Sequence, residues 1–452
     1  MSNHKHLVAI FGGAVSGAEA AHQFTQRNIP CVVFDQNTLP YGKIEDGLPK
    51  WHHKLRDKEE GRINEKLSHE LVRFVPHIRL GREVSFDDLV SWGFSAVILA
   101  IGAWRDRPLP IEGINDYVDK GLIYQNSYIY WFNHFHEPAY KEPQFEALDN
   151  SIVVGGGLAS LDVLKVLMIL TVQRVLKERG HEFNMFQLDR SIAKVLDGLG
   201  YTLEDLGLKG ATLYYRRRIK DMPLSPTQAD TPEKMAKVKM VQEKILNNYQ
   251  RKYLFNVKPL HTPVDKIVEN GRLVGLVFQQ TELVDGRVKA IEGSETSVRA
   301  AQIISSIGSI PEMIKGIPAS GQVFNINKEN GCQLEGYDNV FAVGNTVTGR
   351  GNIKESMKHS QIVTQEWIDT HFNDEPDAAV YEDAFETRAL DTAEVVEGIA
   401  EKVVQSAPLS EDKLQELNER VSELQKLSGY KGDFMAWVEE HLPVRLEDML
   451  GH

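Results

Sequence analysis

Gly12-Gly13-Ala14-Val15-Ser16-Gly17 closes a short β-rich run, His6–Phe11, and opens a helical pattern over Ala18–Arg27. Gly12 permits a tight turn, and Gly17 lets helix and strand pack closely. The N–H groups at the helix start, with the positive end of its dipole, are then offered to a pyrophosphate. The next strand, Cys31–Phe34, ends in Asp35, 23 residues after Gly12, with Gln36 behind it. An acid at that place can accept hydrogen bonds from the ribose hydroxyls of an adenosine. Ala14 stands where the motif has its middle glycine, and its methyl group pushes the backbone slightly off the phosphates.

A second turn of this kind, Gly155-Gly156-Gly157-Leu158-Ala159-Ser160, follows the strand Ser151–Val154 about 140 residues later. Gly155, Gly157 and Ser160 occupy its three small positions, and Leu158 and Ala159 start the helix beside them. Asp162 is placed on the first turn of that helix. There it either complements the helix dipole or holds a nicotinamide amide, which makes it the one candidate side chain for the catalytic centre. The strand Ala211–Tyr215 ends in Arg216-Arg217-Arg218 instead of an acid. Guanidinium groups there can grip a 2′-phosphate bidentately, so the second nucleotide is expected to be NADP rather than NAD. The span from Gly157 to Arg216 exceeds a simple βαβ unit, so residues 177–207 are expected to form a largely helical insertion. One glycine turn is weak evidence. Two in one chain suggest a pair of dinucleotides brought together for electron transfer.

Two further segments support a flavin as the first of them. The strand Ala96–Leu99 runs into Ala100-Ile101-Gly102, and Val340–Val343 runs into Gly344-Asn345. Gly351-Asn352-Ile353 then opens a helix, Lys354–Thr370, whose positive end can face the flavin edge that becomes anionic on reduction.

The bulk properties restrict the setting. A chain of 452 residues favours two or three domains. A hydrophobic content of 42% with 25% charged residues is that of an ordinary soluble globular protein. Met1–Ile10 shows no apolar stretch behind a basic patch, and the apolar run Leu161–Leu176 is broken by charges. A cytoplasmic protein without a membrane span is therefore expected. The net charge of −13 argues against nucleic acid as a partner. A local basic stretch, Lys50, His52, His53, Lys54, Arg56 and Lys58, is either a solvated face or a docking surface for an acidic carrier. The two cysteines, Cys31 and Cys332, form no CxxC dithiol and cannot hold an iron–sulfur cluster. No metal is expected. Leu414, Leu417, Val421, Leu424 and Leu427 recur at helical spacing near the C-terminus, as an intrachain or dimer packing face.

With these residues assembled, the chain resembles the family of adrenodoxin reductase, the related ferredoxin–NADP reductases and the small subunit of glutamate synthase. The resemblance covers roughly residues 5–370. Gly47-Leu48-Pro49-Lys50-Trp51 resembles the family's segment beside the flavin, and Tyr130-Trp131-Phe132-Asn133 is similar to its Trp-Tyr-Asn stretch. Tyr215-Arg216-Arg217 with Asp221-Met222-Pro223 is similar to its Tyr-Arg-Arg…Met-Pro run. The resemblance implies an α/β fold of two Rossmann-like domains. Residues 1–108 and 320–372 would hold FAD, 109–319 would hold NADP, and 373–452 would form a helical C-terminal extension. It also implies hydride transfer from NADPH to non-covalent FAD, with Gly47, Leu48 and Trp51 near the flavin. Ala14, Ser160 and Asn345 depart from the family's usual residues. Three functions stay open: a reductase of a separate acidic, ferredoxin-like carrier; a reductase of a small organic acceptor or quinone; and a non-catalytic flavin-binding subunit or sensor. An oligomer formed through the C-terminal helices stays open as well.

Overall fold

Val8-Ala9-Ile10-Phe11 is apolar at every position and buried on both faces, the pattern of an interior parallel strand. In the computed structural model, which describes residues 5–224, 231–348 and 376–450, this strand, β1 (Val8–Phe11), is central. It pairs in parallel with β2 (Cys31–Phe34), which carries β3 (Val72–Val75) at the edge, and on its other side with β4 (Ala96–Leu99). Beyond β4 lies the late strand Val340–Ala342, also parallel, and then two short antiparallel strands, Gln333–Leu334 and Ile326–Asn327. The chain winds outward from β1 through β2 to β3 and then reverses to β4. The carboxyl ends of β1 and β4 therefore flank a topological switch point, where open α/β sheets form their crevice. Helix α1 (Val15–Thr25) follows β1, and α2 (His53–Leu67) packs beside α1.

The chain divides into two units, one formed by residues up to Arg105, from Ser309 to 348 and from Tyr381 onward, the other by Asp106–Gly308. The boundaries expected from the sequence, 108/109 and 319/320, shift accordingly. The chain leaves the second unit directly after its last strand ends at Ser306. That unit has a five-stranded parallel sheet built from β5 (Leu122–Tyr124), β6 (Ile152–Gly155), β7 (Thr212–Tyr215), β8 (Asn256–Pro259) and β9 (Ile303–Ser306). Their order is β5-β9-β6-β7-β8. A long helix, α3 (Leu158–Glu178), follows β6, and two short helices, Met185–Arg190 and Ile192–Leu199, occupy the expected insertion. A capping box at Asn184 and Gln187 starts the first of these, and Lys165 of α3 forms an ion pair with Asp189 at its far end. An antiparallel sheet turns tightly at Asn270-Gly271 and Asp285-Gly286, both residues of each pair having positive φ, as two-residue hairpins demand.

Helices α4 (Pro376–Gln405), α5 (Glu411–Leu427) and α6 (Phe434–His441) belong to the first unit from Tyr381 on. Val396, Ile399 and Ala400 of α4, with Phe434 and Trp437 of α6, share a core with Ile10, Ala18, Phe24 and Val33. Leu417 and Val421 of α5 share the opposite core with Phe11, Phe34 and Phe86. The leucine stripe thus packs within the chain, with Leu417 and Val421 buried and Leu414 and Leu424 half-buried, except for Leu427, which is 82% exposed. Among the described residues, no helix is long and apolar enough to cross a membrane.

Two glycines in helices test this packing. A Cβ on Gly17 would lie 1.7 Å from the Gly12 carbonyl oxygen, whereas Gly61 on the exposed face of α2 has nothing within 4 Å. Gly17→Ala is expected to destabilise the protein by on the order of 3–5 kcal/mol. Gly61→Ala should stabilise it by about 0.5–1 kcal/mol. Parallel urea unfolding of the two variants checks this, and equal midpoints would contradict the packing.

Candidate dinucleotide-binding sites

The carboxyl edge of the first sheet is built from backbone. Gly12 turns at φ +95°, where a side chain would strike the Ala100 carbonyl oxygen at 2.4 Å, and its N–H donates to Phe34 O at 2.7 Å. Gly13 N–H donates to Asp35 Oδ2 at 2.7 Å and Asn37 N–H to Oδ1 at 2.9 Å, so the acid at the end of β2 clamps the glycine turn. Burial pushes the Asp35 carboxyl up to about 6, against the pull of these N–H groups toward the ionised form. Helix α1 begins with Ala14 as its N-cap, and no side chain caps it. Its first-turn N–H groups, which have no partners within the helix, are left for a ligand. On the other wall Gly344, at φ +62°, approaches Ser16 so closely that a Cβ would meet its Oγ at 2.2 Å. Gly102 N–H donates to Thr346 Oγ1 at 2.9 Å.

These walls enclose a cleft of about 1030 Å³, counting the open space at its mouth. Of the residues expected at a flavin, Gly12, Ala14, Ser16, Asp35 and Gln36 line it from one side. Ala100, Ile101, Gly102 and Asn345 line it from the other. Gly13, Gly17 and Gly344 shape the turn from behind. Gly47 caps the short helix Lys43–Asp46, while Leu48 and Trp51 are buried in the protein and do not line the cleft. Gly351, Asn352, Ile353 and the expected helix Lys354–Thr370 lie outside the described residues. Sequence reading missed Tyr41, Gly42, Lys43 and Trp104, and also Phe385 and Arg388 of α4. Gly42, at φ +54° after Pro40-Tyr41, carried a turn signal that would have pointed to its segment. Phe385 and Arg388 carried none.

The second unit repeats the plan with different chemistry. A Cβ on Gly155 would strike Ser160 Oγ at 2.1 Å, and one on Gly156 would strike the Tyr215 ring at 2.3 Å. The departure at Ser160 is structural: its Oγ accepts from Gly156 N–H at 2.9 Å and donates to Ser306 at 3.1 Å, tying the turn to β9. Gly157 is the N-cap of α3, again without a side-chain cap, and Leu158 and Ala159 form the first turn. Asp162 is buried just past that turn. At the end of β7, Arg216 is exposed and Arg217 half-buried. Arg218 closes on Asp221 in a bidentate pair at 2.6 and 3.0 Å, so the expected trio of free guanidinium groups is reduced to two.

The basic stretch that leads into α2 is neither a solvated face nor a docking surface as a whole. Lys50, His52 and Arg56 are 4%, 2% and 6% exposed. Arg56 pairs with Asp57 and Glu447, and Lys58 pairs with Glu382, so acids of the C-terminal region take up the charge. The Cys31 thiol is buried, which raises its pKa and keeps it protonated, as its place in β2 implies.

An open parallel sheet with a glycine turn, an uncapped helix and an acid at the second strand's end defines a dinucleotide-binding fold. The second unit shares the glycine turn and the uncapped helix. No protein-family model matches the chain. It is 24% identical over 397 residues to the probable mitochondrial NADPH:adrenodoxin oxidoreductase of Schizosaccharomyces pombe, covering 80% of this chain and 82% of that protein. It is also 24% identical over 399 residues to the NADPH-ferredoxin reductase FprA of Mycobacterium leprae, covering 79% and 82%. FprA from Mycobacterium tuberculosis has the same fold, with a TM-score of 0.62 at 18% identity over 93% of this chain and 90% of that one. The resemblance read from the sequence therefore holds: the chain is similar to the adrenodoxin and ferredoxin reductases along most of its length.

Asp35 gives the first site a pH signature. Its folded pKa lies above that of an unfolded aspartate, so its contribution to stability is full below pH about 4 and is lost as pH rises through about 6. For the ligand-free protein the loss is on the order of 2–3 kcal/mol. Asp35→Asn should flatten this part of the stability profile, measured by urea unfolding across that range. A profile unchanged by the substitution would contradict the assignment.

Proposed function

We propose that the protein is an FAD-dependent oxidoreductase that takes a hydride from NADPH and passes electrons to a separate, ferredoxin-like iron–sulfur protein. One observation carries this reading. Two glycine turns sit at the carboxyl edges of two parallel sheets, in a chain similar over 80% of its length to an NADPH:adrenodoxin oxidoreductase. The cradles at Gly12, Gly344 and Gly156 are spaces that side chains would fill, and both helix starts lack caps, so the residues present fit dinucleotides. When bound, FAD supplies hydride acceptance and single-electron release, chemistry that no side chain provides.

The protein's part is to bind and orient. The N–H groups at the start of α1 meet the pyrophosphate of FAD. Asp35 accepts from the adenosine ribose with the lone pairs that Gly13 and Asn37 leave open. In the second unit the start of α3 receives the NADP pyrophosphate, and Arg216 and Arg217 grip the 2′-phosphate. Arg218, held by Asp221, fixes the turn that carries them. Buried Asp162 acts on the α3 dipole more readily than on a nicotinamide amide.

A second reading, direct reduction of a small organic acceptor or quinone, is favoured by the burial of Lys50, His52 and Arg56. It removes much of the face expected to receive an acidic carrier. Anaerobic mixing with NADPH and then with a panel of acceptors tests the whole. The flavin absorption near ~450 nm should bleach on NADPH and return on ferredoxin. Bound FAD that does not bleach would mark a non-catalytic flavin-binding subunit, and return on quinone alone would favour the second reading. Arg216→Ala with Arg217→Ala should raise KM for NADPH by about 10–100-fold and leave NADH unchanged. An unchanged NADPH:NADH preference overturns the phosphate assignment.

A further inference from the structure

Among the described residues, three cations line the cleft of the first unit: Lys43, Arg79 and Arg388. Arg79 pairs with Glu312, and Lys43 Nζ lies 3.0 Å from Ser309 Oγ. Arg388 forms no ion pair among the described residues; the charge that acts on it is that of Asp391, one turn further along α4. Burial disfavours its charged form, yet a guanidinium remains protonated in a protein. An uncompensated cation in that position is costly unless an anion joins it.

Helix geometry places it beside the start of α1. Arg27, just past the end of α1, pairs with Glu397 of α4 at 2.9 Å. Arg388 precedes Glu397 by nine residues and Val15 precedes Arg27 by twelve. At about 1.5 Å per residue, these are about 14 and 18 Å of helix back from the same ion pair. The two helices share one core through Ala18, Ala21 and Phe24 of α1 and Phe385, Val396 and Ile399 of α4. Arg388 therefore stands level with the first turn of α1, where N–H groups without a cap face the same cleft. A guanidinium and a helix N-terminus are donors only, and together they suit an anion with several acceptor oxygens. Asp35, an acceptor, marks the ribose end of the same cleft.

We infer that Arg388 binds the pyrophosphate of the dinucleotide held by the first unit, so that α4 completes the flavin site instead of serving only as a packing or partner element. The inference rests on reading that cleft as the FAD site. The test measures binding of FAD and of riboflavin to the flavin-free full-length protein by fluorescence quenching. Native protein, Arg388→Lys, Arg388→Gln and Arg388→Ala are compared. Arg388→Gln and Arg388→Ala should bind FAD about 10–100-fold more weakly, with partial recovery in Arg388→Lys. Riboflavin, which has no phosphate, should bind all four proteins equally. FAD affinity unchanged in every variant overturns the inference and leaves the FAD site standing. Equal weakening of FAD and riboflavin also overturns it, by showing that Arg388 only supports the fold. Native protein that binds no FAD overturns the site reading and this inference with it.

Discussion

Where a side chain on Gly17 would begin, the carbonyl oxygen of Gly12 already stands, 1.7 Å from the ideal Cβ position. This close approach lets α1 start almost against the end of β1, with its unsatisfied N–H groups at the carboxyl edge of the sheet. Gly12 must in turn fold beneath the Ala100 carbonyl at a φ that L side chains rarely adopt, which joins the turn to β4. Asp35 binds the same turn to β2 through Gly13, and Gly344 seats the last parallel strand's loop against Ser16. Four strand ends are thus coupled, three through approaches too tight to admit a methyl group and β2 through a hydrogen bond. A buried carboxylate would ordinarily be avoided. Here its desolvation is offset in part by two backbone N–H donors, and ribose hydroxyls would offset more of it.

Much of this was legible in sequence because it is local. The glycine turns, the runs of four buried apolar residues and the acid at position 35 lie within short windows whose periodicity and steric demands can be read directly. Cys31–Phe34 and Ala96–Leu99 occur as strands over the residues expected. The Asn270-Gly271 and Asp285-Gly286 pairs carried a hairpin signal that the sequence reading did not use. What escaped depends on distant pairing or on detailed surroundings. Nothing in the run Arg216-Arg217-Arg218 tells which guanidinium will close on Asp221 and which will stay open to a phosphate, since three consecutive arginines look alike until the turn folds. Ser160 reads as a flawed glycine position, but its hydroxyl supplies the hydrogen bonds that seat the turn. Phe385 and Arg388 reach the cleft from a helix almost 300 residues beyond the cleft's other wall at Ala100–Trp104.

The C-terminal helices explain why the charge pattern of α2 misleads. Arg56 and Lys58 are matched by Glu447 and Glu382, while Arg445 reaches in the opposite sense to Glu45 and, at 3.0 Å, to Glu60. Burial, with Glu45 close by, pushes Glu60 up to about 8. Such buried networks seldom add much net stability, because desolvation consumes most of the Coulombic gain. Their physical effect is on register: sliding α2 against the C-terminal segment would leave buried Arg56 or Arg445 without its carboxylates. That register also brings α4 alongside α1, held by Arg27–Glu397, and so carries Arg388 to the cleft.

The same pairing bears on the acceptor. A chain of net charge −13 repels an acidic carrier at long range unless cations are gathered on one exposed face. In the basic stretch Lys50–Lys58, Lys50, His52 and Arg56 are turned inward, and Arg56 and Lys58 are compensated by acids. With steering weak, added salt would screen repulsion more than attraction, over a Debye length of ~8 Å at physiological ionic strength. Reduction of an acidic carrier would then quicken with salt, whereas a reductase with an intact basic docking face slows. A neutral quinone feels neither force, and its reduction should be nearly indifferent to salt. The sign of the ionic-strength dependence therefore separates three cases that the fold alone treats alike.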